Sequence, residues 1–160
     1  MISIGSVLLW GLVGTMLLTS IMSVSQTRGW SRMSIPYLLG TMFTANRDRA
    51  MLVGFLVHLI NGWLFALIYA FAFESLGQAT VWLGILAGFV HGLFVLIVGL
   101  PLLPAMHPRM ASERQGPDPT RQLQPPGFLA LNYGQRTPLV SLLAHIAYGA
   151  LLGGFYQLAG

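Results

Sequence analysis

Four apolar stretches, each of twenty or more residues, leave this chain few ways to fold. They occupy residues 4–24, 50–73, 81–103 and 139–158. An α-helix rises about 1.5 Å per residue, so about 20 residues cross the roughly 30 Å hydrocarbon core of a bilayer. Of the 160 residues, 55% are hydrophobic and 8% are charged, which is the composition of a membrane protein. The sequence therefore predicts an all-α, polytopic membrane protein with four transmembrane helices.

The second and fourth stretches repeat one sequence pattern, which indicates an internal duplication. When residues 49–69 are aligned with residues 136–156, at an offset of 87, eight of the twenty-one positions are identical. Two unrelated apolar helices would share about two by composition. The identities include a central histidine, His58 in one copy and His145 in the other. We therefore predict two duplicated helical hairpins, related by a pseudo-twofold axis along the membrane normal.

All eight basic side chains are arginines, and they lie in two of the three connections between the stretches. Four arginines separate the first and second stretches and four separate the third and fourth, so both groups must lie on one side of a membrane. Cytoplasmic loops carry an excess of Lys and Arg, which predicts that both connections are cytoplasmic and both termini outside. We expect the bacterial inner membrane, and we attribute the net charge of +4 to this topology and not to nucleic-acid binding.

Two proline-bearing segments lie in the arginine-bearing connections. Residues 35–43 are too short to span and too apolar to be free in solution, so we expect an interfacial or shallow re-entrant helix that begins at Pro36. Residues 104–136 are polar and rich in proline, which predicts an irregular cytoplasmic loop. Pro101 and Pro104 are expected to end the third span. The short link between the second and third spans predicts that these two helices are antiparallel neighbours.

Glycines recur every four residues in the third span, at Gly84, Gly88 and Gly92. Such stripes of small residues let helices approach closely in a membrane, where lipid offers no hydrophobic contrast. They are compatible with packing inside the bundle, against a second copy, or against a larger complex. Because a single bundle of this size commonly needs neighbours, we expect a homo-oligomer or a place in a larger membrane complex.

Three histidines lie at one depth in the predicted spans. His58 and His145 are each nine residues after an arginine at the start of their span, and His91 lies at a matching distance from the cytoplasmic end of the third span. At about 1.5 Å per residue, each is near the middle of a core of about 30 Å. Asn61 and Tyr148 share the small and polar faces of the two duplicated helices. Because ionisable side chains are costly at this depth, the five residues predict a functional site.

Four interpretations of this polar site are open. In the first, the side chains are hydrogen-bond partners between helices, each bond contributing roughly 0.5 to 2 kcal/mol in a bilayer, and the chain is a structural or accessory subunit. In the second, His58 and His145 ligate haem b from two related helices. In the third, these two imidazoles and that of His91 bind one divalent metal ion. In the fourth, the His, Tyr and Asn side chains relay protons or line a small permeation path, since imidazole titrates near neutral pH.

No sequence motif points to catalysis. The chain has four acidic residues, no cysteine, and neither a phosphate-binding loop nor a nucleophile elbow. We therefore expect a protein that is not an enzyme. His107 and Glu113 lie in the polar loop, where they are able in principle to join a surface metal or anion site, and solvated side chains are the simpler expectation.

The layout resembles small four-span bacterial inner-membrane proteins that are known only as families of unknown function. The resemblance lies in the GTM run at residues 14–16, the LGTMF run at residues 39–43, and the spans that combine histidine with glycine. It implies an inner-membrane protein. It implies no activity, substrate or catalytic residue.

Overall fold

The computed structural model describes residues 1–112 and 115–159, which are helical apart from irregular connections and one isolated β-bridge. In chain order the elements are α1 (Ile4–Thr27), α2 (Ile35–Gly40), α3 (Arg47–Leu76), α4 (Val81–Phe94), a π-helical segment (Val95–Gly99), α5 (Leu100–Met106), a 3-10 helix (Phe128–Tyr133) and α6 (Thr137–Phe155). The segments from α4 to α5 form one continuous helix. With it, the described residues contain four helices that are long and apolar enough to cross a membrane. The all-α class and the four candidate membrane helices are thus confirmed.

Local sequence sets the ends of the long helices. The Asn46 side chain accepts a hydrogen bond of 3.0 Å from the Arg49 amide and caps α3, whose first turn also carries Asp48. Thr80 caps α4 in the same way, through a bond of 3.3 Å from an amide of the first turn. Gly77 ends α3 with a φ of 65°, a left-handed conformation that glycine adopts without strain. The chain therefore turns from α3 into α4 within a few residues.

The third long helix continues past the prolines that the sequence predicts will end it. It runs to Met106, with Pro101 at the start of α5 and Pro104 inside it. A proline removes one backbone donor, and its ring clashes with the carbonyl four residues earlier. The π-helical turn over Val95–Gly99 includes Ile97, the residue four before Pro101, and opens the helix where that clash would fall.

The long helices form a bundle in which α6 lies between α1 and α4, and α1 also packs along α3. The contact between α4 and α6 is the most extensive. A side chain at Gly84 would overlap the Gly149 carbonyl, and one at Gly149 would overlap the Gly84 carbonyl. Gly88 lies against the His145 carbonyl in the same way. The glycine stripe of α4 is therefore used inside the bundle, against α6.

Helices α3 and α4 meet through aromatic side chains and have little backbone contact. The Phe65 ring of α3 stacks on the His91 imidazole of α4, with ring centroids 3.7 Å apart. The Tyr69 hydroxyl of α3 lies 3.3 Å from His91 Nδ1. Because these large side chains separate the two helices, a cavity remains between them.

The segment predicted to be interfacial, residues 35–43, forms the short helix α2. Ser34 caps it, and Pro36 occupies its first turn. The helix lies against α3, where Gly54 has no side chain and leaves room for the Pro36 carbonyl. Helix α2 thus covers the arginine-bearing end of the bundle next to α3.

The expectation that His107 is solvated is wrong. Only 3% of its surface is exposed. Its Nε2 lies 2.9 Å from the Leu38 carbonyl of α2, and its Nδ1 accepts a hydrogen bond of 3.1 Å from the Arg109 amide. The loop after α5 therefore folds onto α2 and buries the imidazole. The predicted partner Glu113 lies outside the described residues.

Candidate functional site

A cavity of about 250 Å³ lies between α3 and α4, and the five side chains singled out by the sequence line it. They are His58, Asn61, His91, His145 and Tyr148. Most of the remaining wall is apolar and comes from α1, α2 and the helix that includes the π-helical segment. The cavity is therefore polar near the middle of the bundle and apolar towards the arginine-bearing end.

His58 contributes the most unusual atom of the site. Its Nε2 is buried without a hydrogen-bond partner, and it is the only such side-chain nitrogen or oxygen in residues 1–112 and 115–159. Leaving a buried polar atom unsatisfied costs about 1 to 3 kcal/mol. Native proteins satisfy nearly all such atoms, so an exception needs an explanation such as a functional role or a bound molecule.

His91 is held in place by α3. The Phe65 ring covers one face of the imidazole, and the Tyr69 hydroxyl is within hydrogen-bond distance of Nδ1. Only 9% of the residue surface is exposed. His91 thus joins α4 to α3 at the level of the cavity.

His145 bonds to its own helix. Its Nδ1 lies 2.7 Å from the Ser141 carbonyl, and because a carbonyl only accepts, Nδ1 carries the proton. Nε2 of the neutral ring is then left as an acceptor. The ring meets the His91 imidazole edge to face, with centroids 4.7 Å apart. Two imidazoles from the glycine-lined contact of α4 and α6 therefore lie side by side at the cavity.

Interhelical hydrogen bonding accounts for only part of this set. His91 joins α4 to α3, and the Tyr148 hydroxyl donates a bond of 2.6 Å from α6 to the Gly62 carbonyl of α3. His145 bonds within its own helix, and His58 Nε2 has no partner. Two of the three imidazoles therefore do not serve as hydrogen-bond links between helices.

Neither metal-containing group suggested by the sequence fits this cavity. In the part of the chain that the structure describes, no three His, Cys, Asp or Glu side chains are grouped to hold one ion. The three imidazoles line one space without converging on one point. Pockets that bind drug-sized ligands have volumes of roughly 300 to 1,000 Å³. A porphyrin is larger than most drug-sized ligands. Haem b therefore exceeds a cavity of about 250 Å³.

A second cavity, of about 170 Å³, lies between α1, α2 and α3. It shares four lining residues with the first cavity: His58, Leu18, Met22 and Ile35. These side chains therefore form the partition between the two spaces. His58 is the one imidazole that lines both.

Most residues of the cavity wall were not predicted from the sequence. They include Thr15 on α1, Phe65 on α3 and Val95 in the π-helical segment. Thr15 and Phe65 look like ordinary packing residues in an apolar span. Pro101 does indicate a distortion near Val95, because a helix that continues through a proline is commonly distorted in the turn before it.

Comparison of the chain with protein-family models, with curated proteins and with solved structures finds no match. No relative's activity or ligand therefore bears on the site.

Proposed function

We propose that the chain is an integral membrane protein that binds a small neutral molecule in the histidine cavity, through a hydrogen bond to His58 Nε2. The observation that supports this most strongly is that this atom is buried without a protein partner, on a side chain that lines the cavity. A molecule with one hydrogen-bonding group satisfies the atom and removes the cost of its burial. We further propose that the protein binds this molecule without catalysing a reaction.

The lining of the cavity favours a neutral ligand with a largely apolar body. None of the described residues that line it is Asp, Glu, Lys or Arg. A charge near the centre of a bilayer is costly without a partner of opposite charge. Most of the wall is apolar, so the part of the ligand beyond its hydrogen-bonding group is expected to be apolar too.

Entry from the lipid is the route that the packing favours. Phe94 and Gly99 line the cavity and are also exposed on the outer surface of the bundle. Phe65 fills the space between α3 and α4, where backbone contact is sparse. Rotation of phenylalanine side chains is a smaller change than separation of glycine-packed helices. A lipid-soluble molecule therefore has a route to His58 between α3 and α4.

A proton relay is less well supported. Such a relay needs a continuous chain of hydrogen bonds between its members. His91 bonds towards Tyr69, His145 bonds to its own helix, and His58 Nε2 has no partner. The three imidazoles are neighbours without being links of one chain.

The accessory-subunit interpretation has less support, because the small-residue stripes pack inside the bundle. The stripe of Gly84, Gly88 and Gly92 packs on α6 of the same chain. The small residues of α1 are also used internally, since Gly14 lies against the Tyr148 ring. A second copy or a larger complex would therefore have to pack on bulkier, lipid-facing side chains.

We also propose the setting of the protein on sequence grounds. The distribution of arginines favours the bacterial inner membrane, with both termini outside and the arginine-bearing end in the cytoplasm. The proposed duplication is supported by one structural parallel: a short helix precedes and packs on each of α3 and α6. These short helices are α2 in the first half and the 3-10 helix in the second.

The binding proposal is tested by the small molecules that co-purify with the protein. Val95 lines the cavity, whereas Val90 is on the same helix and is 58% exposed on its outer surface. Val95→Phe and Val90→Phe make the same chemical change, and only the first fills the cavity. Each protein is purified gently from membranes and extracted with solvent, and the extract is analysed by mass spectrometry. We expect one neutral compound near one molecule per chain in the wild type and in Val90→Phe, and its loss from Val95→Phe.

The same preparations test the alternatives. An extract without such a compound, or equal amounts in both variants, would overturn the proposal. A visible haem absorption band, or a metal content near one ion per chain, would support binding of haem or a metal ion instead of a neutral molecule. Circular dichroism of both variants controls for folding, so that loss of the compound from Val95→Phe is attributed to the filled cavity.

A further inference from the structure

Two arginines from distant parts of the chain converge on one indole ring. Arg28 directly follows α1, and Arg136 directly precedes α6. Their guanidinium carbons lie 5.2 Å and 5.9 Å from the centroid of the Trp30 ring. At such distances the ring quadrupole attracts a cation. Trp30 thus holds two positive side chains together at the arginine-bearing end of the bundle.

We group with them a third arginine, Arg32, which is two residues after Trp30 in the chain. The Arg32 guanidinium donates a bond of 2.6 Å to the Asn132 carbonyl, and the Arg32 amide donates one of 2.7 Å to the Tyr133 carbonyl. Beside them, the buried hydroxyls of Ser31 and Thr137 are hydrogen-bonded at 2.9 Å. These bonds tie the segment after α1 to the start of α6. The fold itself therefore sets where the three arginines lie.

No carboxylate of the described residues neutralises this cluster. In residues 1–112 and 115–159 the single ion pair joins Arg121 to Asp118, elsewhere in the polar loop. Like charges that the fold holds close together repel one another, and an anion placed between them removes the repulsion. The three side chains are exposed and able to reach an anion from outside.

The surroundings of the cluster favour an anion attached to an apolar body. Trp30 is 38% exposed. The 3-10 helix that Arg32 contacts presents Phe128, 72% exposed, and Leu131, 44% exposed. Tryptophan is enriched where a membrane protein meets the headgroups, because its ring is apolar and its N–H polar. Cations and exposed apolar side chains thus lie next to each other, as at a bilayer surface.

We propose that Arg28, Arg32 and Arg136 bind the phosphate of an anionic phospholipid, with Trp30 at the level of its headgroup. Guanidinium groups present several N–H donors in a plane and suit phosphate oxygens. The phospholipid chains then lie along the apolar side chains of the 3-10 helix. This site is separate from the histidine cavity and requires only that the chain spans a bilayer.

The test compares two double variants that remove equal charge. Arg28→Gln with Arg136→Gln removes the pair on Trp30, whereas Arg47→Gln with Arg49→Gln removes two arginines at the start of α3, outside the cluster. Each protein is placed in nanodiscs of phosphatidylcholine with a small fraction of phosphatidylglycerol, and bound lipids are counted by native mass spectrometry. We expect one retained phosphatidylglycerol in the wild type and the control. In the cluster variant its preference over phosphatidylcholine falls by about tenfold or more.

A second arm distinguishes a lipid from a free anion. Inorganic phosphate is added to protein in discs of phosphatidylcholine alone, and Trp30 fluorescence is followed against a Trp30→Phe control. Saturable binding of inorganic phosphate without a preference for phosphatidylglycerol would overturn the assignment to a lipid. An equal loss in both double variants would also overturn it, because it would show an effect of net charge only. Matching circular dichroism spectra exclude misfolding as the cause of a loss.

Discussion

The Tyr148 hydroxyl of α6 donates a hydrogen bond of 2.6 Å to the Gly62 carbonyl of α3, across the centre of the bundle. Helices α3 and α6 have little backbone contact, and the Tyr148 ring also meets the Tyr69 ring of α3 edge to face, with centroids 5.6 Å apart. The acceptor is a backbone carbonyl in the middle of a long helix, and α3 carries no side chain at that residue. This bond therefore joins the two helices that carry His58 and His145.

Tyr148→Phe tests the contribution of that bond. The substitution removes one hydroxyl and keeps the ring that packs on Gly14. We expect the free energy of unfolding to fall by about 1 kcal/mol, since hydrogen bonds between membrane helices contribute about 0.6 to 2 kcal/mol. Thermal unfolding in mild detergent measures the change. An unchanged midpoint would show that the bond contributes nothing to the bundle.

Gly149→Ala tests the close contact of α4 and α6. An added methyl group would overlap the Gly84 carbonyl, which is backbone and has no simple way to move aside. We expect a loss of roughly 1 to 3 kcal/mol, the usual range for overpacking. Gly99→Ala is the matched control, because a methyl group there meets nothing within 4 Å. If the two variants unfolded at the same temperature, the result would contradict a close contact of α4 with α6 at Gly149.

The sequence predicted one common level for the three histidines, which line one cavity in the structure, but it did not predict which helices pack closely. The levels of His58, His91 and His145 follow from a fixed rise per residue, and their faces follow from neighbouring small residues. The short link predicted that α3 and α4 are antiparallel neighbours, and the two helices meet through side chains such as Phe65 and His91. The close backbone contact of α4 is with α6, where its glycines face Gly149 and neighbouring residues. Loop length limits which helices are near in space, whereas side-chain size decides how closely they approach.

Two other features required the folded chain. The continuation of the helix through Pro101 depends on a π-helical turn, and tertiary packing decides whether such a turn forms. The burial of His107 depends on α2, which lies far away in sequence. Neither the π-helical turn nor the burial of His107 is predicted by a local sequence periodicity.

His107 makes the contact between the polar loop and α2 dependent on pH. Burial lowers the pKa of its imidazole below the ordinary 6.5, the Leu38 carbonyl opposes this shift, and the Arg109 charge adds to it. Between the lowered pKa and 6.5, the unfolded chain binds a proton that the folded chain does not. The free energy of unfolding therefore falls as the pH falls below 6.5, and the contribution is fully present above it.

His107→Gln isolates this effect from that of the other histidines. Glutamine retains an amide N–H that is able to reach the Leu38 carbonyl, and it does not titrate. Unfolding midpoints are measured between about pH 7.5 and pH 5.5. We expect the wild type to lose more stability over this range than the variant. Equal slopes would contradict a role for His107.

Leucine substitutions separate the histidine that links helices from the histidine that does not. His91→Leu removes the contact with Tyr69 and the stacking on Phe65, so we expect a loss of roughly 1 to 3 kcal/mol. His58→Leu removes a buried atom without a protein partner and is expected to be neutral or stabilising relative to wild type that has been washed free of the bound compound in detergent. The unfolding midpoints of both variants are compared with wild type. If His58→Leu were as damaging as His91→Leu, His58 would be a structural link.

The ligand content of His58→Leu tests the central proposal most directly. Wild type and variant are purified from the same membranes and extracted, and the compound retained by the wild type is quantified per chain by mass spectrometry. We predict that His58→Leu is folded, as judged by circular dichroism, and that the compound is absent from it. A variant that retains the compound at the wild-type level would contradict the assignment of His58 as its hydrogen-bond partner.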